Sequence, residues 1–181
     1  MKKLTLLALL LGLLTGCGAA KAATALPAAM PADFEIRYEY WIDEAAPNIY
    51  DTSERLLQKD LVDPDGQPTA QAELAVSDET RKAIYDQVRA CALDRLGDKK
   101  LTAENLTTDD TLVAVTPLTE YRITFTADGE TYTVTGDATA WEYAVQDTRA
   151  ARLYDFVQYM SELFVSSPAY QSLPEAQGAY M

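Results

Sequence analysis

Residues 121–135 leave little freedom in how they fold. Segments 121–126 and 131–135 alternate large apolar residues with threonine on either side of Ala127-Asp128-Gly129-Glu130. Asp-Gly at the centre of a two-residue loop suits a type I′ turn, whose twist matches that of the strands it joins. The loop length then sets the register: Phe125 opposes Tyr132, Ile123 opposes Val134, Thr124 opposes Thr133 and Thr126 opposes Thr131. Large apolar side chains fall on one face and threonines on the other, and a slip of one residue would invert both.

The same period of two recurs in residues 34–42. Phe34, Ile36, Tyr38, Tyr40 and Ile42 share one side, while Glu35, Arg37 and Glu39 share the other, as in a half-buried strand. Further extended runs are expected at 49–52 and 56–62, the second closed by a turn at Asp63-Pro64-Asp65-Gly66. Helical spacing takes over after Ser77, a suitable N-cap followed by Asp78 and Glu79, with Ile84, Val88, Cys91 and Leu96 on one stripe and Gly97 as the stop. A second helix is expected after Asp147, with Leu153, Phe156, Val157, Met160 and Phe164 as its apolar stripe and Ser166-Ser167-Pro168 as its end. The order reads ββα-ββα. It predicts one α+β domain over 34–181, an antiparallel sheet of four to five strands with two helices packed on one face.

Composition removes several kinds of function. With 15 Lys plus Arg against 28 Asp plus Glu, the formal charge is −13, and an anionic chain is a poor partner for nucleic-acid phosphates. No histidine is present, so imidazole proton shuttles and imidazole metal sites are excluded. Two cysteines are too few for a thiolate zinc site or a disulfide framework. No metal site and no cofactor is expected.

The first residues set an address. Lys2 and Lys3 precede an apolar run over 4–14, too short to cross a hydrocarbon core of ~30 Å, and Leu14-Thr15-Gly16-Cys17 follows. A positive start, a short apolar stretch and small residues before a cut site make a secretory signal. The ending resembles the lipobox of bacterial lipoproteins, which implies diacylglyceryl transfer to the Cys17 thiol and cleavage between Gly16 and Cys17. Residues 1–16 are then a signal peptide. Cleavage leaves 13 basic residues against 28 acidic ones, a charge of −15 over 17–181. Two acyl chains give stable anchoring where one would not. Residues 17–33, rich in Ala with Pro27 and Pro31, are expected to be a flexible tether with an r.m.s. reach of roughly 20 Å.

Candidate sites elsewhere are few. Asp63-Pro64-Asp65-Gly66 has its glycine at the fourth place, where a calcium loop needs it at the sixth, and reads as a turn. Cys91 lies on a core stripe without a base. The acids Glu35/Glu39, Asp109/Asp110 and Glu142 lack a pattern marking a hydrolytic pair. The aromatics are more suggestive: Trp41, on the outward side of the first strand, and Trp141 and Tyr143, in the loop after the hairpin, are candidates to contact a protein, peptide or glycan. The tail 170–181 is expected to dock back on its own domain.

Beyond residue 34 the chain resembles a group of bacterial lipoproteins to which no activity is assigned. The resemblance rests on Tyr50-Asp51-Thr52, Lys59-Asp60-Leu61-Val62, Thr116-Pro117 before the hairpin, and a tail with Tyr170, Leu173-Pro174, Gly178 and Tyr180. It implies the α+β fold and the lipid anchor and brings no catalytic residue. The expectation is a lipid-anchored domain on the extracytoplasmic face of the cell membrane, without enzymatic activity, that binds an envelope protein, peptide or polymer. The competing expectation is a small carboxylate-based envelope hydrolase.

Overall fold

The computed structural model describes residues 24–62, 68–97, 99–107 and 114–178. Its strands are β1 (Glu35–Ile42), β2 (Asn48–Asp51), β3 (Leu56–Asp60), β4 (Thr69–Glu73), β5 (Thr119–Ala127) and β6 (Glu130–Asp137). They form one antiparallel sheet in the order β4-β3-β2-β1-β5-β6. Helix α1 (Asp78–Ala90) follows β4, the single turn α2 (Ala103–Leu106) precedes β5, and α3 (Thr148–Ser166) and α4 (Pro168–Gln171) follow β6.

The sheet is larger than expected, and its order differs. Four strands precede α1, so the chain reads ββββα-ββα apart from short helical turns. The unexpected strand is β4, Thr-Ala-Gln-Ala-Glu, which pairs Ala70 with Lys59 and Ala72 with Leu57. It lies at the sheet edge and turns only two alanines toward the helix side, so it carries none of the large alternating residues by which strands are recognised.

β1 runs through the middle and divides the molecule. Phe34, just before it, together with Ile36 and Tyr38 is at most 1% exposed. Pairing sets Tyr38 beside Ile123 and Ile36 beside Phe125 on the same face. The hairpin has its expected register, Phe125 opposite Tyr132 and Thr124 opposite Thr133, and its turn residues Asp128 and Gly129 have φ of 56° and 79°, as a type I′ turn requires.

Both long helices cover the apolar face. Tyr85 of α1 meets Phe34 edge-on at 4.9 Å, Phe164 of α3 meets Tyr40 at 5.7 Å, and the Tyr38 hydroxyl lies 3.3 Å from Ser161 Oγ. The α3 stripe Leu153, Phe156, Val157, Met160 and Phe164 is fully buried, each large side chain contributing roughly 2–3 kcal/mol of transfer free energy. Ser77 caps α1 by accepting from the Thr80 amide, and Asp147 caps α3 by accepting from the Arg149 and Ala150 amides. Helix α1 stops earlier than its stripe suggests: Ala92 turns left-handed at φ 44° and a short 3₁₀ turn (Leu93–Arg95) brings Leu96 back into the core.

Two flanking segments pack on this frame. Residues 24–33, expected within the tether, are part of the folded body. Leu26 is buried, Thr24 Oγ1 donates to Asp94 at 2.7 Å, the Ala25 amide donates to Asp94 at 2.8 Å, and the Tyr85 hydroxyl donates to Pro27 O. Asp33 accepts from the Gly129 and Asp128 amides, bonds that hold its carboxyl below the usual range. At the other end Lys59 Nζ donates to Pro174 O at 2.8 Å and lies over the Tyr170 ring, while the Gln177 amide donates to Leu61 O. The tail thereby satisfies an ammonium group that the sheet turns toward its apolar side.

Leu101 adds a parallel bridge at the outer edge of β6, donating to Thr135 O and accepting from the Asp137 amide. Only glycine fits beside it: a Cβ at Gly136 would sit 2.5 Å from Leu153 Cδ2 and 2.9 Å from Leu101 O. Gly136→Ala is expected to destabilise the fold by about 1–3 kcal/mol, read as a lower urea midpoint. An unchanged midpoint would contradict this close approach.

Candidate functional site

The sheet face opposite the helices is a grid of paired charges. Odd-numbered β1 residues point there. Arg37 Nη1 donates to Asp51 at 2.7 Å and Nη2 to Glu39 at 3.0 Å, and Arg122 Nη1 lies 3.8 Å from Glu39. Trp41 Nε1 donates to Glu120 at 2.9 Å, the other Glu120 oxygen accepts from Lys100, and Lys100 also approaches Asp137. Beyond them Thr124 faces Thr133 and Thr126 faces Thr131 within hydrogen-bond distance.

Asp51 anchors this grid at 2% exposure. Burial alone would raise its carboxyl, but hydrogen bonds from Ser53, the Glu54 amide and Arg37 outweigh burial and hold it below the usual range. Glu120 is held low chiefly by Lys100, with Trp41 adding to it.

The candidate aromatics do not form one patch. Trp41 is half-exposed, and the Arg122 guanidinium lies 5.4 Å from its ring centre. Trp141, in the 3₁₀ segment Ala138–Tyr143, packs 5.6 Å from Tyr121 and 5.3 Å from Tyr154. Glu120 and Tyr121 are successive residues of β5 and point to opposite faces, so the two tryptophans are on opposite sides of the sheet. Tyr143 is half-buried against the core.

The candidate acids are dispersed as well. Glu35 binds Arg81 and the Thr52 hydroxyl, whereas Glu39 is held by Arg37 and Arg122. Glu142 lies exposed in the 3₁₀ segment. Gly16, Cys17, the Asp63-to-Gly66 turn and Asp109/Asp110 lie outside the described residues. Cys91 is buried, and burial, with a further push from Asp155, raises its thiol to about 11. A thiol pushed in that direction stays protonated at neutral pH. No cluster of three or more metal-ligating side chains occurs among the described residues.

The structure adds a feature that no motif announces. An open-mouthed cavity of about 520 Å³ lies between the start of β1, the β2–β3 turn and the extended stretch 74–77. Glu35, Thr52, Arg55 and Arg81 face it along with Leu74, Ala75 and Val76. Arg81 is fixed by the Phe34 carbonyl and by Glu35 at 3.1 Å, and Arg55, at φ 52°, is held through its carbonyl by the Leu74 amide.

Comparison with protein-family models, with curated proteins and with solved structures finds no match to this chain. Any functional reading therefore rests on the chain's own residues.

The charge grid gives a pH test. The native Asp51 pKa lies below its unfolded value of about 3.9, so its contribution is complete above that value and is lost as pH falls through the lowered native one. Asp51→Asn is expected to cost about 1–3 kcal/mol at pH 7, with the gap to wild type closing below about pH 4 in urea titrations. A gap that is the same at pH 3 and pH 7 would contradict the role of the carboxylate.

Proposed function

We propose that this chain is a bacterial lipoprotein, held by a diacylglyceryl group on Cys17 at the extracytoplasmic face of the cell membrane. Its α+β domain is a non-enzymatic binding or accessory module for an envelope protein, peptide or polymer. The observation that carries this reading is the ordered run of Lys2-Lys3, an apolar stretch and Leu14-Thr15-Gly16-Cys17, the sequence of features that a signal peptidase acting on lipoproteins requires. The resemblance to other bacterial lipoproteins belongs to the same proposal.

The packed segment 24–33 sharpens the proposal. Between Cys17 and Thr24, which is clamped by Asp94, only residues 18–23 remain. Even fully extended, that leash spans roughly 25 Å. The end of the domain carrying Asp94 would stay close to the bilayer, which suits a module that works at the membrane surface. A charge of −15 over 17–181 offers no general attraction to anionic lipid, so the acyl chains supply the attachment.

A carboxylate hydrolase is the competing reading, and the pairing of Glu35 and Glu39 with different arginines disfavours it: neither carboxyl is placed to share a proton with the other.

Metabolic labelling with a fatty-acid probe tests the anchor. The wild-type protein is expected to take up label and sediment with membranes, and Cys17→Ala to lose both properties. Unlabelled wild-type protein in the soluble fraction would overturn the proposal.

A further inference from the structure

We infer that the cavity between the start of β1, the β2–β3 turn and residues 74–77 binds a carboxylate joined to a small apolar body, either a free short organic acid or the C-terminus of a short peptide. The inference deepens the binding reading by naming a ligand class, and it stands whether or not Cys17 is acylated.

Size and charge support it together. A volume of about 520 Å³ lies in the ordinary range for small-ligand sites. The residues facing it carry Arg55 and Arg81 against Glu35 alone, a net positive lining in a chain of charge −13. The acids that pair with these arginines, Glu73 at 2.6 Å from Arg55 and Asp78 at 3.7 Å from Arg81, are 71% and 95% exposed, so these are weak surface pairs that a ligand carboxylate can replace.

Hydrogen-bond supply points the same way. Both Glu35 oxygens are engaged, one by Arg81 and the other by the Thr52 hydroxyl. Arg81 spends Nη2 on Phe34 O and Glu35, and its Nε is buried without a partner among the described residues. Nη1 makes only a 3.7 Å approach to Asp78. Nη1 is therefore the Arg81 donor left for a ligand, and a guanidinium already held in place loses little freedom on receiving a carboxylate. Leu74, Ala75 and Val76 supply an apolar wall beside the donors, which favours a ligand with a short hydrocarbon body over a bare, strongly hydrated anion.

The test is a ¹H–¹⁵N NMR titration of the full chain in detergent with four probes: N-acetyl-alanyl-alanine, its C-terminal amide, isobutyrate and inorganic phosphate. The expected result is saturable shifts at the Val76 and Ser77 amides and at Arg81 Nε–H for a carboxylate probe, with the amide at least about tenfold weaker. Isobutyrate matching the dipeptide acid identifies a free organic acid as the ligand source, and binding of the dipeptide acid alone identifies a peptide end. Arg55→Gln, at a side chain 64% exposed, should leave the thermal midpoint unchanged and weaken the carboxylate about tenfold. Arg81→Gln should abolish the shifts, and if that variant fails to fold, Arg55→Gln decides. The inference is overturned if the amide binds as tightly as the acid, if phosphate binds as tightly as either carboxylate, or if no probe gives shifts confined to these residues at millimolar concentration. None of these results bears on fatty-acid labelling of Cys17, so the two proposals fail separately.

Discussion

The alternation of β1 is the constraint from which the rest of the molecule follows. It lies at the centre of the sheet, with β2 on one side and β5 on the other, and its side chains divide into aromatic and aliphatic residues on one face and Glu35, Arg37, Glu39 and Trp41 on the other. The apolar face obliges something to cover it, and α1 and α3 do so through Tyr85, Phe156, Met160 and Phe164. The charged face obliges its members to find partners across the strands, and Asp51, Arg122 and Glu120 provide them. One strand thus sets both where the core lies and where polar chemistry is displayed.

The edges of this arrangement are where the structure departs from a plain two-layer domain. Residues 24–33 close over α1 and the hairpin turn, and the C-terminal tail closes over Lys59. Each uses backbone hydrogen bonds as much as apolar contact, with Asp94 and Asp33 binding amides at one end and Pro174 accepting an ammonium proton at the other. The cavity opens where neither segment reaches, beside the cap of α1.

Local signals in the chain read well and distant ones did not. The hairpin was legible to the residue because turn chemistry and side-chain parity agree within fifteen positions. The helix starts at Ser77 and Asp147 and the α3 stripe were legible for the same reason. β4 was not, because Ala70 and Ala72 bury too little surface to show a period and the strand is defined by pairing with β3. The docking of 24–33 was hidden in an Ala-rich stretch where Leu26 and Met30 alone carry large apolar side chains. For the candidate site, parity placed Trp41 on the outer face, but only the fold shows that Trp141 belongs to the other side. The cavity joins Glu35, Arg55 and Arg81 across 46 positions of sequence, and no spacing rule connects them. The proposed anchor rests on the order of the first seventeen residues alone, which lie outside the described residues.

Native-state hydrogen exchange tests the central role of β1 most directly. The Tyr38 and Tyr40 amides are expected to be among the slowest to exchange, opening only with global unfolding and in step with the buried turns of α3. If β1 exchanged through a lower-energy opening while the β5–β6 hairpin stayed protected by itself, the hairpin would be the organising unit and the dependence of the whole structure on β1 would be contradicted.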